Sequence, residues 1–225
     1  MISHELNCIF IHIPKCGGTS IEAALGHFDA HTPGDPQDHR GLMEIQPFSL
    51  STAASKRNII ADLRRLRHIY LKHHANPANR NSVNHHQYRY YFKFTFVRNP
   101  WSRAYSWYGN VMREPSIKKL YDIDGEMSFS QFLRRFAGRR ALRPQVSWLR
   151  NKKKHVEFDF IGKFENLSAD FEKVCRMLNT TTRTLPHFLS GRQGNYRQAY
   201  DSELVNIVGD IYREDIELFG YSFDT

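Results

Sequence analysis

The hydrophobic positions change period repeatedly along the chain, and each change marks an element. Cys8 to Ile13 (CIFIHI) is a nearly continuous apolar run of six residues, as expected of a strand buried on both faces in a parallel sheet. Pro14 to Gly18 interrupts it. TSIEAALGHF then places Ile21, Ala24 and Leu25 on one helical face. Residues 29–41 are rich in Pro, Gly and Asp and read as a loop, and Leu42 to Ile45 begins a short helix. A longer helix is expected over 56–72, where Ile59, Leu63, Leu66 and Tyr70 fall at i, i+4, i+7 and i+11, with Arg57, Arg64 and Arg65 largely off that face. Residues 73–88 are polar, hold four histidines and read as a loop.

The second half repeats these signals. Tyr90 to Val97 (YYFKFTFV) is aromatic and β-branched, hence a strand. Pro100 fits the first position of a helix whose apolar stripe is Trp101, Tyr105, Tyr108 and Met112, with Arg103, Ser106 and Asn110 on the opposite side. Helices follow near 128–137 and 144–150. Val156 to Phe164 alternates as a strand does. Phe171, Val174, Cys175 and Leu178 mark a helix over 168–178, and Leu204, Ile207, Val208 and Ile211 mark one over 202–218. No internal repeat or linker interrupts the pattern. It describes one α/β domain over residues 1–225, with a basic helical insertion at roughly 46–88.

Composition narrows the class. In 225 residues, 40% are hydrophobic, enough for a sizeable core, and the formal charge is +9, which favours an anionic partner. Cys8, Cys16 and Cys175 form no CxxC pair and no dense framework, so they read as reduced thiols of a cytoplasmic protein. No run of about 18 apolar residues occurs, so a transmembrane segment is not expected and any membrane contact would be peripheral.

Two strand-to-helix turns carry the candidate chemistry. In PKCGGTS (Pro14 to Ser20), successive backbone N–H groups entering a helix suit phosphate oxygens. Gly17 and Gly18 permit close approach, Lys15 adds a point charge, and Thr19 and Ser20 add hydroxyls. Here lysine precedes the glycines, whereas a Walker A loop places it after them, beside a Mg²⁺-holding Ser or Thr. Cys16 reads as a small loop residue, with no partnered base to make it a nucleophile. In FVRNPWSRAYS (Phe96 to Ser106), Arg98 stands at a strand's C-terminal end, where open α/β sheets bind ligands. Arginine suits bidentate phosphate contact, and Ser106 lies close enough along the helix to share one anion with it.

Together, FIHIPKCGGTSIE and YFKFTFVRNPWSRAYSWY resemble the PAPS-dependent sulfotransferases (PAPS, 3′-phosphoadenosine-5′-phosphosulfate), in the branch that includes bacterial and Golgi carbohydrate sulfotransferases. VEFDFIGKFENLSADFEKVCRML and NYRQAYDSELVNIVGDIYREDIELFGYSFD look like that family's C-terminal half. The least matched part is 46–88, and Cys16 stands where the usual loop has Thr. The resemblance implies a P-loop-like three-layer α/β/α fold around a central, mostly parallel sheet. It also implies sulfuryl transfer from PAPS to a hydroxyl, with the bisphosphate PAP as product and no metal. The PKCGGTS loop (Lys15, Cys16, Gly17, Gly18, Thr19, Ser20) would hold the 5′-phosphosulfate, with Lys15 neutralising charge on the transferring group. Arg98 and Ser106 would bind the 3′-phosphate, and a loop near Arg192 to Tyr196 would close over the nucleotide.

Such a transfer needs a general base for the acceptor hydroxyl. Among twelve histidines, His39 in DHRGLMEI resembles the family's base in order and in distance from the Lys15 loop. His74 or His73 in LKHHANPA is the alternative. His73, His74, His85 and His86 lack the tight spacing of a zinc site. The expected acceptor is a carbohydrate or glycolipid. The basic helix near 56–72, the run Arg134, Arg135, Arg139, Arg140 and Arg143, and Lys152 to Lys154 could line its path, with Trp148 stacking on a sugar ring. Otherwise these charges are solvated helix faces. A phosphotransferase is opposed by the placement of Lys15. A non-enzymatic binder of nucleic acid or glycan leaves the paired anion motifs unexplained, so nucleic acid is not expected as a partner.

Overall fold

The computed structural model describes residues 1–27, 37–53, 55–181, 184–186 and 195–224. In chain order its regular elements begin with strands β1 (Ile2–Ser3) and β2 (Cys8–Ile11). Helices α1 (Gly18–Ala24), α2 (Leu42–Ile45), α3 (Lys56–Leu66) and α4 (His85–Tyr90) follow. Next come β3 (Phe92–Val97), α5 (Pro100–Arg113), α6 (Pro115–Leu120), α7 (Phe129–Phe136) and α8 (Val146–Leu149). The chain finishes with β4 (Phe160–Lys163), α9 (Leu167–Met177), α10 (Ser202–Ile211) and α11 (Arg213–Phe219). These elements form two compact units. The first holds Met1–Ile13, Gly17–Phe96 and Val146–Phe188, and the second Pro14–Cys16, Val97–Gln145 and Leu189–Thr225.

The first unit carries a four-stranded sheet in the order β1-β2-β3-β4. β2 runs parallel to β3, with Phe10 opposite Phe94, and antiparallel to β1. All four residues of β2 are buried, as its unbroken apolar run requires. The rings of Phe10 and Phe94 stack at 4.9 Å, and Thr95 Oγ1 donates to the Ile11 carbonyl at 2.8 Å. Beside Phe96, glycine at 162 is required, because a Cβ there would lie 2.5 Å from the ring. In α9, Phe171, Val174 and Cys175 are buried, as their spacing indicates.

The region 46–88 is helical but inside out. Helix α3 continues as a π-helix over Arg67–Leu71, and its buried residues are Asn58, Ala61 and His68. The apolar stripe read from the sequence faces solvent instead: Leu63 is 60% exposed and Tyr70 73%. The reason lies in the polar contacts on the other side. Asn58 Nδ2 donates to the carbonyls of Thr52 (2.8 Å) and Lys152 (3.2 Å), and His68 Nε2 donates to the Asn79 carbonyl at 2.7 Å. The stretch read as a loop over 73–88 contains a 3₁₀ turn (Pro77–Arg80) and the start of α4. There Asn84 and Gln87 cap each other's backbone N–H groups.

The second unit is helical. Trp101, Ala104 and Val111 of α5 meet Phe132, Leu133 and Phe136 of α7 and Leu204 and Val208 of α10 in one apolar core. Arg103, expected on the outer face of α5, is only 1% exposed, and its guanidinium is spent on backbone carbonyls of Pro14, Arg143 and Ala141. The helix expected over 202–218 is two helices. It breaks at Tyr212, whose buried hydroxyl donates to the Leu142 carbonyl at 2.5 Å and accepts from the Gly138 N–H at 3.1 Å.

Candidate functional site

The PKCGGTS turn leaves β2 and enters α1. Lys15 (φ 69°) and Gly17 (φ 82°) both adopt left-handed backbone, and turns of this kind make anion-binding concavities from successive N–H groups. Gly18 has a packing reason of its own. A Cβ at that position would lie 2.1 Å from His12 Cδ2, so the His12 ring occupies the space a side chain would need. Thr19 is buried and its hydroxyl accepts from Gln37 Nε2 at 2.7 Å, while Ser20 is partly exposed.

Within the second unit, Lys15 and Arg98 come together. Arg98 Nη1 donates to the Lys15 carbonyl at 3.2 Å, and its Nε donates to Ser102 Oγ at 2.9 Å. Lys15 Nζ reaches Asn110 Oδ1 at 3.4 Å. Ser102, Ser106 and Asn110 follow one another at i, i+4 and i+8 on α5, hence along one face. The two cations therefore touch both ends of a polar stripe with Ser106 in its middle. Burial pushes the Lys15 ammonium down to about 8, and the neighbouring Arg98 and Arg113 push in the same direction. Gln145, fully buried, fixes the base of Arg98. Its Oε1 accepts from the Arg98 N–H and its Nε2 donates to the Arg98 carbonyl, both at 2.8 Å. The Cys16 thiol is buried and donates to the same Oε1 at 3.4 Å.

Within the first unit, His39 is placed by its neighbours. Asp38 and Arg40 form a buried bidentate pair (2.9 and 2.7 Å), and Arg40 Nη2 also donates to the carbonyls of Asn79 and Asn81. Burial alone would raise the Asp38 carboxyl, but Arg40 outweighs it and holds it well below the usual range. His39 Nδ1 lies 3.0 Å from the His12 carbonyl. A carbonyl only accepts, so Nδ1 carries the proton and the neutral ring keeps its lone pair on Nε2. Burial, and then His12, push His39 down to about 4, so the ring is neutral at pH 7. His12 in turn sets its ring 4.4 Å from that of His39 and its Nδ1 3.3 Å from Glu22 Oε1.

The other residues expected at a site divide as follows. His74 is buried, with Nε2 donating to the His68 carbonyl at 2.8 Å, while His73 is exposed. Tyr196 donates its hydroxyl to the Phe223 carbonyl at 2.7 Å. Arg192 lies outside the described residues. Trp148 is only 5% exposed and sits 6.4 Å from the His39 ring, which leaves little face for a sugar. Lys152 is buried rather than part of a basic patch, with Nζ on Asp62 Oδ1 (2.5 Å) and the Pro47 carbonyl (3.0 Å). Arg134 pairs with Glu203, and Arg140 donates to the Leu120 carbonyl. Among the described residues no group of three His, Cys, Asp or Glu is placed to hold a metal ion. Ser102, Asn110, Gln145 and His12 were not anticipated. Ser102 had a signal in its i+4 spacing from Arg98, whereas Gln145, 47 residues from Arg98 in sequence, had none.

A model of the Sulfotransferase family matches residues 1–222. An uncharacterized protein of Archaeoglobus fulgidus is 32% identical over 121 residues, covering 53% of this chain and 93% of that one. The crystal structure of a sulfotransferase from Alicyclobacillus acidocaldarius aligns over 96% of both chains, with 15% identity and a TM-score of 0.46.

Proposed function

The chain belongs to the sulfotransferase family, and from that premise we propose that it moves a sulfuryl group from PAPS to a hydroxyl of a carbohydrate or glycolipid. The observation that carries the donor assignment is the pairing of Arg98 with the Lys15 carbonyl at one end of the Ser102–Ser106–Asn110 stripe. Two cations and a row of small polar side chains form a receptor for a multiply charged anion.

Arg98 and Ser106 take the 3′-phosphate. Lys15 and the backbone N–H groups of residues 16–20 take the 5′-phosphosulfate. Lys15 offsets charge on the sulfuryl oxygens and on the phosphate oxygen that leaves, as preorganised cations do in phosphoryl transfer. His39 Nε2 accepts the acceptor's proton as the hydroxyl oxygen attacks sulfur and the bond from sulfur to the phosphate oxygen breaks. His74 is the weaker candidate, because it is buried and, with Nε2 donating to the His68 carbonyl, its lone pair falls on Nδ1, the nitrogen crowded by its own backbone. The three cysteines are buried and form no CxxC pair or dense framework in the sequence, which supports a reducing, cytoplasmic setting. No described helix is long and apolar enough to cross a membrane.

Calorimetric titration with PAP, using ADP and 5′-AMP as controls, tests the donor site. Tight PAP binding that both controls lack, and that Arg98→Ala abolishes, is the expected result. Equal binding of all three nucleotides would remove the 3′-phosphate site and with it the PAPS assignment.

A further inference from the structure

We propose that α3, its π-helical continuation and the adjoining segment 48–50 form a docking surface for an anionic lipid bilayer.

Among the described residues, eight of the thirteen exposed large apolar side chains fall between 48 and 71. Ile59 (48%), Leu63 (60%) and Leu66 (48%) share the outer side of α3, followed by Tyr70 (73%) and Leu71 (80%). Leu50, 84% exposed, stands on a segment held beside α3 by the bond from Asn58 Nδ2 to the Thr52 carbonyl and by Lys152, which joins Pro47 to Asp62. The helix has spent its polar side on the protein and kept its apolar side for something else. Single exposed leucines need no explanation, but a contiguous apolar surface does.

The charges beside that surface identify its occupant. Lys56, Arg64 and Arg67 are exposed on the same element, Lys72 just past its end, and Lys153 and Lys154 on the neighbouring turn; of these, Arg64 pairs with Glu44 at 3.3 Å. That turn is tied to α3 by Arg57 and Asn58, which donate to the Lys152 carbonyl. Asp62, the one acidic residue of α3, is neutralised by Lys152. An apolar face bordered by Lys and Arg, with an aromatic near one end, is the chemistry of a helix lying in a membrane interface. Its side chains enter the acyl boundary while the cations meet lipid phosphates. A second copy of the chain fits poorly, since a two-fold contact on this face would set the same row of cations against itself.

The test is sedimentation with phosphatidylcholine vesicles prepared with and without phosphatidylglycerol, using the full chain. The expected result is binding to the anionic vesicles that weakens with salt and falls about tenfold in Leu63→Glu and in the pair Lys56→Glu/Arg67→Glu. Should Leu63→Glu shift the melting curve, Leu71→Ser replaces it. Failure to bind anionic vesicles, or equal binding by wild type and variants, overturns the proposal. So does a wild-type dimer in sedimentation velocity that Leu63→Glu converts to monomer, because the face would then belong to a second copy. PAP binding is measured in parallel, and its loss or retention reports on the nucleotide site alone.

Discussion

The ring of His12 occupies the volume that a side chain at Gly18 would need, with a Cβ there falling 2.1 Å from His12 Cδ2. His12 is buried, sets its carbonyl on His39 Nδ1, and lies against Glu22, so it has little room to yield. Gly18→Ala is therefore expected to destabilise by about 1–3 kcal/mol, the usual cost of overpacking. Gly109→Ala is the contrast: nothing lies within 4 Å of its Cβ position and it sits inside α5. There the change should stabilise by about 0.4–1 kcal/mol through loss of unfolded-chain freedom. Urea unfolding of both variants checks the pair, and similar midpoints would contradict the packing account.

The proposed donor role of Lys15 carries a proton signature. Burial and the nearby Arg98 and Arg113 lower its ammonium to about 8. In the free protein at pH 8, about half of the Lys15 side chains carry no proton. A bound phosphate or phosphosulfate favours the charged form, so PAP binding at that pH should take up about half a proton. Calorimetry in two buffers of different ionisation enthalpy measures the uptake. It should vanish in Lys15→Ala and shrink at pH 6.5, where the ammonium is already protonated. An uptake unchanged in Lys15→Ala would assign the proton to another group.

Much of this arrangement was legible because it is local. β2, the PKCGGTS turn, β3 and the first turn of α5 are each announced by a short run of residues, and anion-binding turns are built from the same short runs. Three features were not legible, for a common reason. The outward-facing stripe on α3 depends on Asn58 and His68 finding carbonyls at Lys152 and Asn79. The burial of Arg103 depends on carbonyls at Pro14, Ala141 and Arg143. The break at Tyr212 depends on Leu142 and Gly138. In each case a polar side chain goes inside because distant backbone groups satisfy it, and periodicity alone assigns such residues to the surface.

His39 and His68 give the first unit a pH limit. Burial lowers both to about 4, with His12 adding to the shift at His39 and Arg40 at His68. The unfolded chain takes up these protons near the ordinary histidine value of about 6.5, whereas the folded chain resists them until pH approaches 4. Between those values the unfolded state binds more protons, so stability rises with pH through that window and levels off above it. Chemical denaturation at pH 5 and pH 7.5 should show a lower midpoint at pH 5, with a smaller gap in His39→Asn. If His39 is the base, its neutral form persists at pH 6, so the rate should not fall between pH 7.5 and pH 6 as it would for an ordinary histidine. A rate that halves near pH 6.5 would point to a different base.

Gln145 separates the positioning of Arg98 from its charge. Its amide bonds both the N–H and the carbonyl of Arg98, and its own N–H donates to Asp215 Oδ2 at 2.7 Å. Gln145→Leu keeps the volume but removes the amide that bonds the Arg98 N–H and carbonyl, which should cost about 0.5–1.5 kcal/mol for each bond lost. PAP affinity should fall as well, although no group in contact with the nucleotide has been deleted. Gln145→Glu makes a sharper test. It keeps the acceptor for the Arg98 N–H but sets a carboxyl where Nε2 had been 3.4 Å from Asp215 Oδ2. Two buried carboxylates that close resist both being ionised, so the new side chain should be protonated at low pH and strained at high pH. The difference in unfolding midpoint between wild type and Gln145→Glu should therefore widen from pH 5 to pH 8, with PAP affinity falling in parallel. A pH-independent difference would mean that the amide only fills space and that Arg98 is held by Ser102 and the Lys15 carbonyl.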